Sequence, residues 1–128
     1  MSFSPKTKQV LRWLPAVFFV AAVLFLSTQK IPRMRPENAD KLVHFLIYGI
    51  MSVLVFWPLS RNGHRHPYAL SMLVALLIGV FDETIQYYNP SRVASLKDLL
   101  ADGLGSWAGG MFSRIFVANK INKKERLT

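Results

Sequence analysis

Four apolar runs, at about Leu11–Thr28, Asp40–Leu59, Pro67–Tyr88 and Leu96–Phe116, follow one another with only short polar connections between them. Each is close to the roughly 20 residues a helix needs to cross the hydrocarbon core of a bilayer. A soluble domain would alternate polar and apolar positions throughout. These runs do not. The expectation is an all-α polytopic membrane protein, one domain over residues 1–128, built as a bundle of four transmembrane helices. The prolines agree with that division. Pro15 falls near the first turn of the first helix, where a missing N–H costs least, and Pro67 opens the third. The second run is expected to stop near Pro58. The third should end before Pro90, because a residue preceding proline is pushed out of the helical region. Gln29–Ala39, broken by Pro32 and Pro36, reads as a basic loop, and Arg61–His66 as a tight polar connection. The basic start with its apolar run imitates a signal peptide, but Ser27-Thr28-Gln29-Lys30 offers no small-x-small cleavage site, so a retained first helix is expected.

The formal charge of +9 raises the question of nucleic acid. The basic residues, however, sit at the edges of hydrophobic segments rather than in one stripe, which suits anionic headgroups and topology signals. No nucleic-acid module is recognisable, and no nucleic-acid partner is expected. Membrane lipids are the expected partners. The absence of cysteine excludes disulfides, cysteine-type zinc sites and thiol catalysis. Lys6, Lys8, Arg12, Arg61, Arg65, Arg114 and the tail Lys120, Lys123, Lys124 and Arg126 outnumber the basic residues of the first and third loops. That balance favours both termini inside, although the first loop argues the other way.

Polar side chains break the apolar pattern at three places. Asp40, His44 and Tyr48 share one face of the second helix; Asp82 and Gln86 share a face of the third, with Glu83 beside them; Asp98 and Asp102 share a face of the fourth. Hairpin topology carries all three to one membrane face, with Arg92 in the loop between. Ionisable groups beside membrane-grade runs are costly and mark a function by default. Each also has an ordinary reading: Asp40 as an N-cap, Ser95 with Asp98 as a capping box, Glu83 and Arg92 as a structural pair. Capping does not account for His44 a turn inside its helix, or for Asp82 and Glu83 more than a turn before theirs ends. His44, Asp82 and Glu83 are therefore the candidate acid/base group, His44 because a free histidine side chain has its ordinary pKa closest to neutrality. Asp40, Tyr48, Gln86, Arg92, Asp98 and Asp102 are candidate substrate-binding residues, with Arg92 as an anion clamp. One histidine among several carboxylates would suit Mg²⁺ or Mn²⁺ better than a zinc cage, but a metal is only weakly signalled and no metal ligand is assigned. No cofactor is specified. His64 and His66 lie in a loop on the opposite face and read as solvated. Ala101, Gly105 and Gly109 form a small-xxx-small series that lets helices approach closely. Internal packing is its expected use, and an oligomer through the Gly105/Gly109 face the alternative.

Asp40-Lys41-Leu42-Val43-His44-Phe45 with Tyr48 resembles the first signature of the VanZ-like membrane proteins. Asp82-Glu83-Thr84-Ile85-Gln86, followed by Arg92, Ser95, Asp98 and a glycine-rich helix, resembles the second. The likeness spans about Ile31 to Gly110; Asp102 departs from it, standing where many relatives have asparagine. The resemblance implies a four-helix bacterial inner-membrane protein of the cell envelope. It also implies a link to teicoplanin, a lipid-tailed glycopeptide against which the founding member is associated with low-level resistance. Three functions follow. The first is an envelope protein that binds or modifies an amphiphilic, lipid-linked or lipoglycopeptide molecule at the outer leaflet. The second is a non-catalytic scaffold whose polar cluster is structural. The third, a small transporter, is disfavoured because the polar residues occupy one membrane face only.

Overall fold

The computed structural model describes residues 2–30 and 36–128, and among them the chain is helical, with no strand. The elements are α1 (Pro5–Leu11), α2 (Leu14–Thr28), α3 (Glu37–Arg61), α4 (Pro67–Tyr88), α5 (Leu96–Phe112), a π-helical turn (Ser113–Val117) and α6 (Ala118–Arg126). Pro32, Arg33 and Arg35 of the expected first loop lie outside the described residues.

Three helical stretches are long and apolar enough to cross a membrane: Pro5–Thr28, Asn38–Arg61 and Pro67–Tyr88. The first begins earlier than the sequence suggests. Ser4 caps α1 by accepting from the Thr7 amide, and the chain makes only a brief break at Arg12–Trp13 before α2 resumes with Pro15 in its first turn. The second differs at both ends. It starts at Glu37 behind Pro36, whose carbonyl accepts from the Ala39 and Asp40 amides, so Asp40 lies within the first turn rather than capping it. It also runs past Pro58 to Arg61, because a proline removes the bond to the turn behind it but not the one ahead. The Pro58 carbonyl still accepts from the Asn62 amide at 2.9 Å. The fourth expected run is α5, 17 residues long, extended by the π turn to Val117.

Helix α3 packs most extensively on α5, with α4 against both, and α2 lies on α3 and α4. The α3–α5 contact follows from glycine. Gly105 sits on the backbone of Phe45 and Gly109 on the backbone of Gly49, so close that a Cβ at either position would overlap the facing main chain. Small residues permit this approach where no hydrophobic effect drives helices together. The apolar core is modest: Ala16 and Val23 of α2, Tyr48, Met51, Val55 and Leu59 of α3, and Ala75 of α4. Large side chains such as Phe18, Phe25, Leu77, Phe81 and Leu104 point outward, while serines, carboxylates and Gln86 are buried. That inversion suits an apolar solvent.

Candidate functional site

The polar side chains gather at one end of the bundle, where α2 and α4 finish and α3 and α5 begin. Three helices supply the acids in register. The i, i+4 spacings turn Asp82 and Gln86 inward from α4, Asp98 and Asp102 inward from α5, and His44 and Tyr48 toward them from α3.

Asp82 is the anchored member. Only 2% exposed, it accepts from the Tyr48 hydroxyl at 2.9 Å and from the Gln86 amide at 3.2 Å on one oxygen, and from the Ser27 hydroxyl on the other. Three helices thus meet on one carboxylate, which is how a buried charge is tolerated. Tyr48 and Gln86, both buried, have their polar ends engaged in this way. Ser27 is not among the candidate residues that the sequence indicates. Its signal is the step from apolar to polar at Ser27-Thr28-Gln29, which hairpin topology carries to the depth of Asp82.

Asp102 is fully buried, and its Oδ1 lies 2.9 Å from His44 Nδ1. With Nδ1–H donating to the carboxylate, the imidazole is held in one orientation. The His44 and Tyr48 rings run nearly parallel, with centroids 6.4 Å apart. Gly79 makes room for Asp102 and Tyr48: a Cβ there would stand 3.1 Å from Asp102 Oδ2 and 3.3 Å from the Tyr48 ring.

Glu83 does not pair with Arg92. Its Oε2 accepts from the Ser95 amide at 3.1 Å, fastening the start of α5 to α4, while Ser95 itself caps α5 through the Lys97 amide. Arg92 donates to the Leu26 carbonyl at 3.1 Å, and Asn89 Nδ2 reaches the Ser27 and Thr28 carbonyls at 3.3 Å each. The α4–α5 loop therefore supplies donors to the open carbonyls at the end of α2, where positive charge is favourable. Asn89 also closes its own turn, accepting from the Ser91 amide at 3.1 Å. Asn89 is not among those candidates either, since Asn-Pro-Ser reads simply as a turn. Asp98 is buried on the inner face of α5 and Asp40 half-buried on α3.

Some of the buried polar atoms carry no hydrogen bond: Glu83 Oε1, Asp102 Oδ2 and Arg92 Nε. Two groupings of ligand-type atoms lie within 4.8 Å of one another, His44–Glu83–Asp102 and Asp40–His44–Asp98. Glu83 also lines a cavity of about 400 Å³ that opens beside the α4–α5 corner, among Thr84, Tyr87, Tyr88, Ser95 and Leu99. An imidazole oriented by one carboxylate, a second carboxylate with a vacant oxygen and an adjacent apolar opening can bind a polar group and move a proton. His64 and His66 are exposed in the connection between α3 and α4, away from this cluster.

A family model described as VanZ/LLP1 matches residues 2–117. No curated protein and no solved structure matches the chain.

Proposed function

Because the chain belongs to the VanZ/LLP1 family and three of its helical stretches can cross a membrane, we propose that it is a bacterial inner-membrane protein of the cell envelope whose polar pocket takes an amphiphilic ligand. In this reading α5 is the fourth span, sheltering its acidic face against α3 and α4, and both termini are cytoplasmic. The pocket then lies at the headgroup depth of the outer leaflet. A lipid-linked envelope molecule or a lipoglycopeptide such as teicoplanin would place its apolar part against the corner lined by Tyr87 and Leu99 and its polar part near His44, Glu83 and Arg92. The protein would confer glycopeptide tolerance by holding or modifying that molecule.

One observation carries the reading. Buried, unpartnered polar atoms of Glu83, Asp102 and Arg92 lie at the end of the bundle where a cavity reaches Glu83. A purely structural cluster would be expected to satisfy its members. The scaffold reading has its own support in Asp82, whose three donors tie α2, α3 and α4 together.

The test is to express wild type, His44→Gln, Glu83→Gln and Asp98→Asn in a teicoplanin-sensitive bacterium, measuring membrane level and drug susceptibility in the same cultures. A functional pocket predicts normal accumulation with lost protection. Failure to accumulate supports the scaffold, and a wild type that protects nothing removes the teicoplanin link.

A further inference from the structure

Among the described residues, Asp82, Glu83, Asp98 and Asp102 are buried while no lysine or arginine is. Asp82 is satisfied by Ser27, Tyr48 and Gln86. Glu83 and Asp102 are not: each is at least nine-tenths buried, each uses one carboxylate oxygen, and the second oxygen of each has no partner. These two acids stand with His44 in a set whose ligand atoms all fall within 4.8 Å. An unpaired carboxylate oxygen out of water is expensive, and more so in a low-dielectric interior.

We propose that His44, Glu83 and Asp102 form a binding site for one divalent cation. The ligand set decides the class of ion. Two carboxylates and one imidazole, with no thiolate in the chain, suit an oxygen-preferring ion of the Mg²⁺ or Mn²⁺ type. The vacant oxygens of Glu83 and Asp102 become ligands, and two charges of the ion offset two carboxylates. The Ser95 amide holds Glu83 Oε2 and acts as the outer support such sites require, while the ion takes the place of the proton between His44 Nδ1 and Asp102. The opening beside Glu83 provides the entry path and leaves coordination positions to water. Asp40 and Asp98 share His44 in the other grouping. The vacant oxygens belong to the Glu83–Asp102 set, and they select it.

Cation binding does not depend on the drug-tolerance reading, and its test uses no susceptibility readout. Purified full-length protein in an uncharged detergent is titrated with Mn²⁺ as the probe, following free ion by electron paramagnetic resonance and heat by calorimetry. The expected result is one saturable Mn²⁺ per chain, displaced by excess Mg²⁺, with nitrogen hyperfine coupling from a single imidazole that disappears in His44→Gln. Glu83→Gln, which keeps an oxygen for the Ser95 amide, should weaken binding roughly tenfold or more, since even loss of an outer-sphere partner costs that much. Asp102→Asn should do the same, and Glu83→Gln decides alone if that variant does not fold by circular dichroism. Absence of saturable uptake by wild type overturns the site. So does unchanged affinity in a folded Glu83→Gln.

Discussion

At the scale of single residues, the buried acids divide by how completely they are partnered. Asp82 takes three side-chain donors, whereas Asp102 and Glu83 each leave one oxygen without any. The consequences of substitution should divide in the same way. Tyr48→Phe removes one donor from Asp82 without leaving a cavity, so it should lower stability by about 1.5–3 kcal/mol, the range for a bond to a charged acceptor. Unfolding in mixed micelles, with helix content followed by circular dichroism, measures this. No loss of stability would mean that the hydroxyl is not a working part of the anchor. Glu83→Gln retains the bond to Ser95 and should change stability less than Tyr48→Phe. Arg92 belongs to the anchored class through the Leu26 carbonyl, although its Nε remains unpartnered.

At the scale of elements, the α3–α5 contact sets where the acids stand. Gly105 and Gly109 meet the backbone of α3 with no space for a Cβ, and backbone cannot swing aside as a side chain can. Gly109→Ala should therefore force the two helices apart, costing at least the 1–3 kcal/mol typical of overpacking and reducing membrane accumulation. Gly103 is the internal control. A Cβ there meets only Leu76 Cδ1 at 3.7 Å, an ordinary contact, and alanine is the better helix former. Gly103→Ala should be tolerated or stabilising by up to about 1 kcal/mol. Equal behaviour of the two variants in a thermal-aggregation assay would count against the close seam. Gly105 and Gly109 are buried against α3, the internal packing use that the small-xxx-small series suggests.

For the whole molecule, the two ends of the bundle differ in chemistry. The polar cluster occupies one. At the other, Arg12 donates to the Arg61 carbonyl and to Asn62 Oδ1, each at 2.9 Å, and Arg61 reaches Glu125 at 3.1 Å, so the N-terminal helices, the α3–α4 connection and α6 are drawn together. Lys120, Lys123, Lys124 and Arg126 add to the positive charge there. The proposed topology puts this end in the cytoplasm, so single cysteines placed in the cysteine-free chain should report opposite accessibility. Ser91→Cys should react with a membrane-impermeant maleimide in intact cells, and His64→Cys only after permeabilisation. The reverse pattern would move the pocket to the cytoplasmic leaflet and remove an outer-leaflet ligand.

What the sequence determined by itself was the all-helical architecture, with three stretches long and apolar enough to cross a membrane, and the meeting of the acids. Hydrophobic runs of bilayer length and i, i+4 spacing are local properties, and even hairpin topology then brings Asp40, His44, Asp82, Glu83, Asp98 and Asp102 to one end whatever the packing details. Local chemistry also located Pro67 and the Ser95 cap. It misjudged Pro58, because the effect of a proline on the turn ahead depends on which carbonyls still find donors. The pairings were decided only in three dimensions. That Glu83 holds the Ser95 amide rather than Arg92, that Arg92 and Asn89 serve the end of α2, and that Ser27 completes Asp82 all depend on the rotation and depth of neighbouring helices. At the α3–α5 seam the spacing is set by how closely Gly105 and Gly109 let the two helices approach. Periodicity tells which face a side chain occupies; the distance between helices, fixed by packing, tells which partner it can reach.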